Sequence, residues 1–224
     1  MMQPIVDLID VSRVFEGAQP HHALSDINLR IDAGEYVSIV GPSGAGKSTM
    51  LNLLGLMDRP TTGEYLIDGH ATSATSENER ALLRATTIGF VFQGFHLLPR
   101  RTVLDNVMLA TVYAAVPRSE RESRARDALV RVGLEHRVEA YPTTLSGGER
   151  QRAAIARAVV ASPKLLLADE PTGNLDQGRA GEIMDMFEML NSDGLTVVLI
   201  THDLDLARRA RRTVSISDGR VTQS

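Results

Sequence analysis

Gly41-Pro42-Ser43-Gly44-Ala45-Gly46-Lys47-Ser48 is a complete G-x-x-x-x-G-K-[ST] run, and no other stretch restricts the fold of this chain so tightly. Glycines let consecutive backbone N–H groups turn inward around an anion, while a lysine at the position of Lys47 reaches phosphate and a hydroxyl at Ser48 can sit on Mg²⁺. The loop works only between a strand and a helix. Its flanks comply: Tyr36-Val37-Ser38-Ile39-Val40 is an apolar strand candidate, and Thr49-Met50-Leu51-Asn52-Leu53-Leu54 reads as a helix whose N-terminus faces the phosphates. The bland alternative, a glycine-rich turn that binds nothing, is disfavoured by that context. The run therefore commits the chain to an α/β architecture.

At 224 residues and 23% charged, the chain has the composition of one large globular α/β domain with an added lobe. A formal net charge of -4 argues against broad attraction to nucleic acid or anionic lipid. The absence of cysteine excludes disulfides and cysteine-based zinc sites. Met1 to Asp10 lacks the cationic start and apolar stretch of a signal peptide, and no apolar run approaches the roughly 20 residues that span a bilayer. The chain is thus not expected to insert in a membrane by itself. Ala71 to Arg84 is polar and reads as a surface excursion with a short helix. Pro117 to Val132 is strongly helical: Ala125, Ala128, Leu129 and Val132 recur at i, i+3, i+4 and i+7, and Glu120–Arg124 and Glu122–Arg126 are i,i+4 pairs. Little strand signal appears from Pro99 to Ala161, which predicts a mainly helical insertion there.

Apolar runs elsewhere end in polar residues. Val37–Val40 enters the glycine loop, Ile88–Phe92 runs into Gln93, Leu165–Ala168 into Asp169-Glu170, and Val197–Thr201 into His202. Continuous apolar runs of this length are what buried parallel strands look like, and ligands of open parallel sheets lie beyond the strands' carboxyl ends. In one sheet, these runs would gather Lys47, Gln93, Asp169, Glu170 and His202 at one edge. Asp169 is a candidate for holding Mg²⁺ through oxygen, Glu170 for addressing a water in line with a γ-phosphate, His202 for bonding that phosphate, and Gln93 for completing the metal shell or orienting water. Taken singly, each has a plainer reading: a solvated strand end for Gln93 or His202, a turn opener for Asp169-Glu170 before Pro171.

Leu145-Ser146-Gly147-Gly148-Glu149-Arg150-Gln151-Arg152 narrows the class. Ser146 with Glu149 is S-x-x-E, a capping box that opens a helix over Glu149–Ala161, stopped by Ser162-Pro163. A capped, glycine-led helix N-terminus is also an anion site. With this run the chain resembles the ATP-binding cassette (ABC) ATPases over essentially its whole length. The resemblance implies a P-loop NTPase fold with a RecA-like parallel-sheet core, an antiparallel β subdomain and an inserted α-helical subdomain. The division it implies is a core over about 1–93 and 162–224 and a helical signature subdomain over about 94–161. Gly41, Pro42, Ser43, Gly44, Ala45, Gly46, Lys47, Ser48 and Thr49 then form the Walker A loop and its exit. Leu165–Asp169 is Walker B, with Asp169, Ser48 and Gln93 around Mg²⁺, Glu170 as catalytic base, Gln93 as the Q-loop glutamine and His202 as the switch histidine. Asp176 lies in the D-loop with Asn174 and Leu175. Phe15 occupies the place of the adenine-stacking aromatic, its alternative being a buried strand residue. The family pattern is a head-to-tail homodimer around two ATP molecules, in which Ser146, Gly147 and Gly148 act on the partner's nucleotide.

A narrower similarity is to the MacB/LolD/FtsE branch. It rests on Gly55–Gly63, on Ile88–Gln93, and on Glu170-Pro171-Thr172-Gly173-Asn174-Leu175-Asp176. It implies an integral membrane permease partner in export, lipoprotein release or mechanotransmission, and cytoplasmic placement at the inner face of the membrane. MacB proper carries its membrane domain on the same chain, whereas this sequence ends soon after its last strand signal, so the expected permease is a separate chain or has been trimmed away. Phe95, His96, Leu97 and Leu98 are candidates for the permease-facing groove. Ordinary packing against the helical lobe is the other reading of those four residues. The rival function is a non-transport ABC ATPase of cell division, DNA or the ribosome. Its one hint, Arg208-Arg209-Ala210-Arg211-Arg212, reads better as the basic end of a helix begun by Asp203 and Asp205, so no nucleic acid partner is expected.

Overall fold

The computed structural model describes residues 4–17 and 19–223; Met1–Gln3, part of the stretch read above for a leader, lie outside the described residues. In chain order the first elements are β1 (Pro4–Phe15), β2 (His21–Asp32), β3 (Tyr36–Val40), α1 (Lys47–Leu54), β4 (Thr62–Ile67), β5 (His70–Ala71) and α2 (Glu77–Thr87). Next come β6 (Ile88–Phe92), α3 (Val103–Tyr113), α4 (Arg118–Arg131), α5 (Gly147–Val159), β7 (Leu165–Asp169) and α6 (Gln177–Ser192). The chain closes with β8 (Thr196–Thr201), α7 (Leu204–Ala207), β9 (Arg212–Ser217) and β10 (Arg220–Gln223). These fall into two compact units, Met1–Ala81 with Asn191–Ser224, and Leu82–Leu190. Among the described residues no helix is long and apolar enough to cross a membrane.

The first unit holds an antiparallel sheet of order β2-β1-β4-β5. Strict alternation builds it: Ile27, Leu29 and Ile31 are buried while Asp26, Asn28 and Arg30 face outward. Asp10 and Asp26 take left-handed φ of 50° where the β1–β2 register shifts, and Asn28 secures the irregularity with a 2.8 Å bond to the Asp10 carboxylate. In the same unit β3 lies between β8 and β9, parallel to both, and β10 joins β9 antiparallel. All of β3 and β8 is buried, which is why both read as unbroken apolar runs. Ala71–Arg84 proves less superficial than its polarity suggests. Its helix extends to Thr87, and Arg80, only 2% exposed, donates to the carbonyls of Leu56 and Asp58 at 3.0 and 2.7 Å.

In the second unit β6 and β7 pair in parallel, α3, α4 and α5 pack on one another, and α5 lies on β6. The stripe Ala125, Ala128, Leu129 and Val132 is buried as its spacing predicts. The Glu120–Arg124 and Glu122–Arg126 pairs form at 2.7 and 2.8 Å on the exposed face. Being solvated they add little, about 0.3–0.5 kcal/mol apiece. Close packing of α5 on β6 depends on Gly89, where a Cβ would come within 2.4 Å of the Ala158 carbonyl oxygen. Backbone cannot yield there. Gly89→Ala is expected to lower stability by about 1–3 kcal/mol in urea unfolding; an unchanged midpoint would mean the helix has room to move.

Candidate functional site

In the first unit the glycine loop leaves β3 and is squeezed between backbones. A Cβ on Gly41 would stand 2.2 Å from the Ile216 carbonyl oxygen, and one on Gly46 would stand 2.6 Å from that of Ala23. Gly46 also takes φ 106° as the residue before α1. Both positions therefore demand glycine. No side chain caps α1 and no carboxylate lies in its first turn, so its leading N–H groups face the loop as an anion cradle. Lys47 folds over the mouth, its ammonium donating to the carbonyls of Gly41 and Pro42 at 2.7 and 2.8 Å. A cleft of about 300 Å³ results, lined by Ser43, Gly44, Gly46, Lys47, Ser48 and Thr49, with Ala23 and His21 opposite. Its lining is N–H, hydroxyl and ammonium, the chemistry of a phosphate site. Ala45 sits beneath, buried.

Phe15 ends β1 as the register partner of His21 and is 41% exposed, with the Arg13 guanidinium 4.4 Å from its ring centroid. The buried-strand reading of Phe15 is thereby set aside. His21 was not singled out in the sequence, because only the β1–β2 register reveals its place beside Phe15. On the other side Val40 pairs with Thr201, so Gly41 and His202 follow aligned residues at the carboxyl ends of parallel strands. His202 is exposed, on a bend fixed by the Asp203 N–H donating to the Thr201 hydroxyl at 3.0 Å. The arginine cluster departs from expectation. Helix α7 spans only Leu204–Ala207; Asp203 caps it, Arg208 pairs with Asp205, and Arg212 belongs to β9 and pairs with Glu35 at 2.9 Å. The arginines thus follow the helix instead of forming its last turn, because Asp203 starts a turn too short to include them.

In the second unit Phe92 pairs with Asp169, so Gln93 and Glu170 leave neighbouring strand ends side by side. Glu170 holds φ 43°, a left-handed conformation that aims it away from the β7 line, and its carbonyl accepts from the Gly173 N–H at 3.1 Å. The Gln93 carbonyl accepts from the Asn174 amide at 2.8 Å. Its side chain lies over Gly173, where a Cβ would meet its amide nitrogen at 2.6 Å. Asp176 accepts from the Arg179 N–H at 3.0 Å and so caps the start of α6. Of the four residues after Gln93 and Gly94, His96 and Leu98 present exposed side chains, while Asn106 pairs with both the N–H and the carbonyl of Leu98 at 2.7 and 3.1 Å.

The capping box forms in full. Ser146 Oγ accepts from the Glu149 N–H at 3.3 Å, and Glu149 Oε2 accepts from the Ser146 N–H at 2.8 Å. Arg137 Nε reaches the other carboxylate oxygen at 2.9 Å. The Ser146 N–H above all, then the Ser146 hydroxyl and Arg137, hold the Glu149 carboxyl down to about 2 against the opposing effect of burial. Leu175 packs on Gly147 and the Arg179 stem on Gly148, where added Cβ atoms would meet them at 3.2 and 3.3 Å. That contact joins the start of α6 and the segment before it to the start of α5.

The profile of the family described as ABC transporter matches residues 24–173. The ABC transporter ATP-binding protein YknY of Bacillus subtilis (strain 168) is 47% identical over 218 residues, 97% of this chain and 95% of that protein. The macrolide export ATP-binding/permease protein MacB of Hyphomonas neptunium (strain ATCC 15444) is 44% identical over 222 residues, 99% of this chain but 34% of that protein, so the chain spans about a third of its length. The dimeric structure of MJ0796, a bacterial ABC transporter cassette, superimposes with a TM-score of 0.88 at 43% identity over 97% of both chains. A second structure of that cassette is a dimeric post-hydrolysis state bound to ADP and Pi, again with a TM-score of 0.88 at 43% identity over 97% of both chains.

Glu149 carries a testable pH signature. Its depressed folded value means that its stabilisation is complete above 4.5, its unfolded value, and is lost as pH falls towards 2. Glu149→Gln keeps the shape and a capping acceptor but removes the charge. The stability gap between the two proteins in urea is expected to be larger at about pH 6 than at about pH 3.5. A gap that does not change with pH would show that charge at this position contributes nothing.

Proposed function

The chain belongs to the ABC transporter family and is an ATPase cassette of that fold, and from this premise we propose that it is the motor subunit of a transporter whose membrane permease is a separate chain. The observation that carries the reading is the anion cradle at α1, closed by Lys47 and built where only glycine fits. ATP enters with its phosphates on the N–H groups of Gly44–Thr49 and its base on the exposed face of Phe15. Lys47 exchanges its two loop carbonyls for phosphate oxygens. Glu170 orients and deprotonates the attacking water, which general-base catalysis makes worth about a hundred- to ten-thousandfold in rate. His202 donates to the γ-phosphate, and Gln93 orients the water from the neighbouring strand end. Ser146, Gly147 and Gly148, at the N-terminus of α5, address the nucleotide of a second copy, with Asp176 at the same face.

Ser48 offers a hydroxyl, Asp169 a carboxylate and Gln93 an amide oxygen, the hard donors that would hold magnesium. The ion would neutralise charge on the phosphates. Because the catalytic parts are divided between two copies, hydrolysis lets the dimer part, and the stroke passes to the permease through the exposed Leu98. The export name of MacB and the coverage of YknY almost end to end support a cassette that serves a permease at the cytoplasmic face of a membrane.

Glu170→Gln is the deciding variant. ATP binding should persist, turnover should fall at least about a hundredfold, and a dimer should accumulate with ATP and Mg²⁺ in size-exclusion light scattering. Turnover within about twofold of the unmodified protein would remove Glu170 from its role. Loss of nucleotide binding in Lys47→Ala, measured by equilibrium titration, is the companion result.

A further inference from the structure

Gln93 sits at the head of a turn whose backbone is unusual. The Phe95 N–H bonds to the Phe92 carbonyl at 3.2 Å and the His96 N–H to that of Gly94 at 2.6 Å, while Phe95 and His96 take φ of 58° and 49°. Consecutive left-handed residues that carry a Cβ persist only where the surroundings over-determine them. Helix α5 supplies the restraint. Arg150 and Arg157 lie seven residues apart, two turns along one face. Arg150 places its guanidinium 5.0 Å from the Phe95 ring centroid. Arg157 donates one guanidinium nitrogen to the Phe95 carbonyl at 2.8 Å and the other to the His96 carbonyl. The upstream end is tied as well, by Asn174 on the Gln93 carbonyl.

We propose that Arg157 is a positioning residue for ATP hydrolysis: its forked grip on the carbonyls of Phe95 and His96 holds the turn that presents Gln93, and binds that turn to the helix opened by Ser146. The two adjacent carbonyls are met by separate nitrogens of one planar guanidinium, a fixed fork that the single nitrogen of a lysine ammonium does not reproduce. Burial of Arg157, which draws its guanidinium below the usual arginine range, suits a group whose task is to satisfy backbone. Helix α5 and the Gln93 turn consequently move as one body, so any displacement of the helix that meets the second nucleotide is felt at Gln93. This inference rests on the proposed role of Gln93 in hydrolysis.

The experiment compares Arg157→Lys, His96→Pro, His96→Gly and Gln93→Ala in the full chain, by steady-state ATPase kinetics and by hydrogen exchange of amides in 93–98. Arg157→Lys is expected to lower kcat about tenfold with KM for ATP within about twofold, the split of a misplaced catalytic group. Its 93–98 amides should exchange about tenfold faster while the rest of α5 is unaltered. His96→Pro, which forbids positive φ without touching α5, should reproduce the kcat loss, whereas His96→Gly, which also lacks the imidazole but accepts the conformation, should stay within about threefold. Wild-type kcat in His96→Pro, or equal losses in His96→Pro and His96→Gly, would overturn the proposal. So would unchanged exchange in Arg157→Lys. Should Arg157→Lys fail to fold, the His96 pair decides. If Gln93→Ala is slow while Arg157→Lys and His96→Pro are not, only the grip is refuted; if Gln93→Ala itself turns over normally, the role of Gln93 falls and this inference with it.

Discussion

Register between parallel strands is the constraint on which the functional arrangement depends. Val40 opposite Thr201 and Phe92 opposite Asp169 are backbone facts, set by ladder hydrogen bonds between buried strands. Each pair releases two chemically distinct residues at one edge: the glycine loop beside His202, and Gln93 beside Glu170. A slip of a single residue would turn every side chain of a strand to its other face. Close backbone approaches oppose such a slip: a Cβ moved into the place of Gly41 or Gly89 would stand 2.2 or 2.4 Å from the carbonyl oxygen of Ile216 or Ala158. Glycines that look like mere spacing thus help to set which residues emerge together at each pair of strand ends.

Backbone conformation is the second expenditure of this design. Glu170, Phe95 and His96 all hold positive φ without being glycine. Single residues held this way cost about 1–3 kcal/mol. Glu170 directly follows β7, and Phe95 and His96 follow the end of β6 by three and four residues, where the chain turns out of the sheet. The costs are met by specific partners: Gly173 on the Glu170 carbonyl, Arg157 on those of Phe95 and His96.

Much of this was legible because it is local. The loop Gly41–Ser48 with its flanks, the cap at Ser146 and the buried stripe of α4 are short-range patterns and stand where the sequence places them, although the capped helix runs Gly147–Val159 and not Glu149–Ala161, because the cap residue itself starts it. Features set by pairing across the chain were not. The twelve-residue strands β1 and β2 carry alternation, yet their bulged register is fixed only by pairing, so no local pattern marks His21 or decides whether Phe15 is buried. Arg80 looked like surface because nothing local announces that two carbonyls await it. The contact of Leu175 and Arg179 with Gly147 and Gly148 was equally invisible, since a glycine's need for space shows only when its neighbour is known.

The two helix N-termini assigned to phosphate are built on opposite electrostatic plans. Helix α1 opens with no cap and no carboxylate, so its dipole and N–H groups are unspent until an anion arrives. Helix α5 opens with an ionised Glu149 already bonded to the Ser146 N–H, which neutralises part of the same dipole. Arg137 on Glu149 offsets that charge in turn, leaving α5 as a near-neutral surface with a hydroxyl and two glycine N–H groups at its tip. In the proposed dimer, α1 would then hold the nucleotide of its own subunit more strongly than α5 holds that of its neighbour, and the two copies would part more readily than if both helices were bare. Under that proposal the carboxylate at 149 would serve the opening of the dimer as well as the stability of its helix.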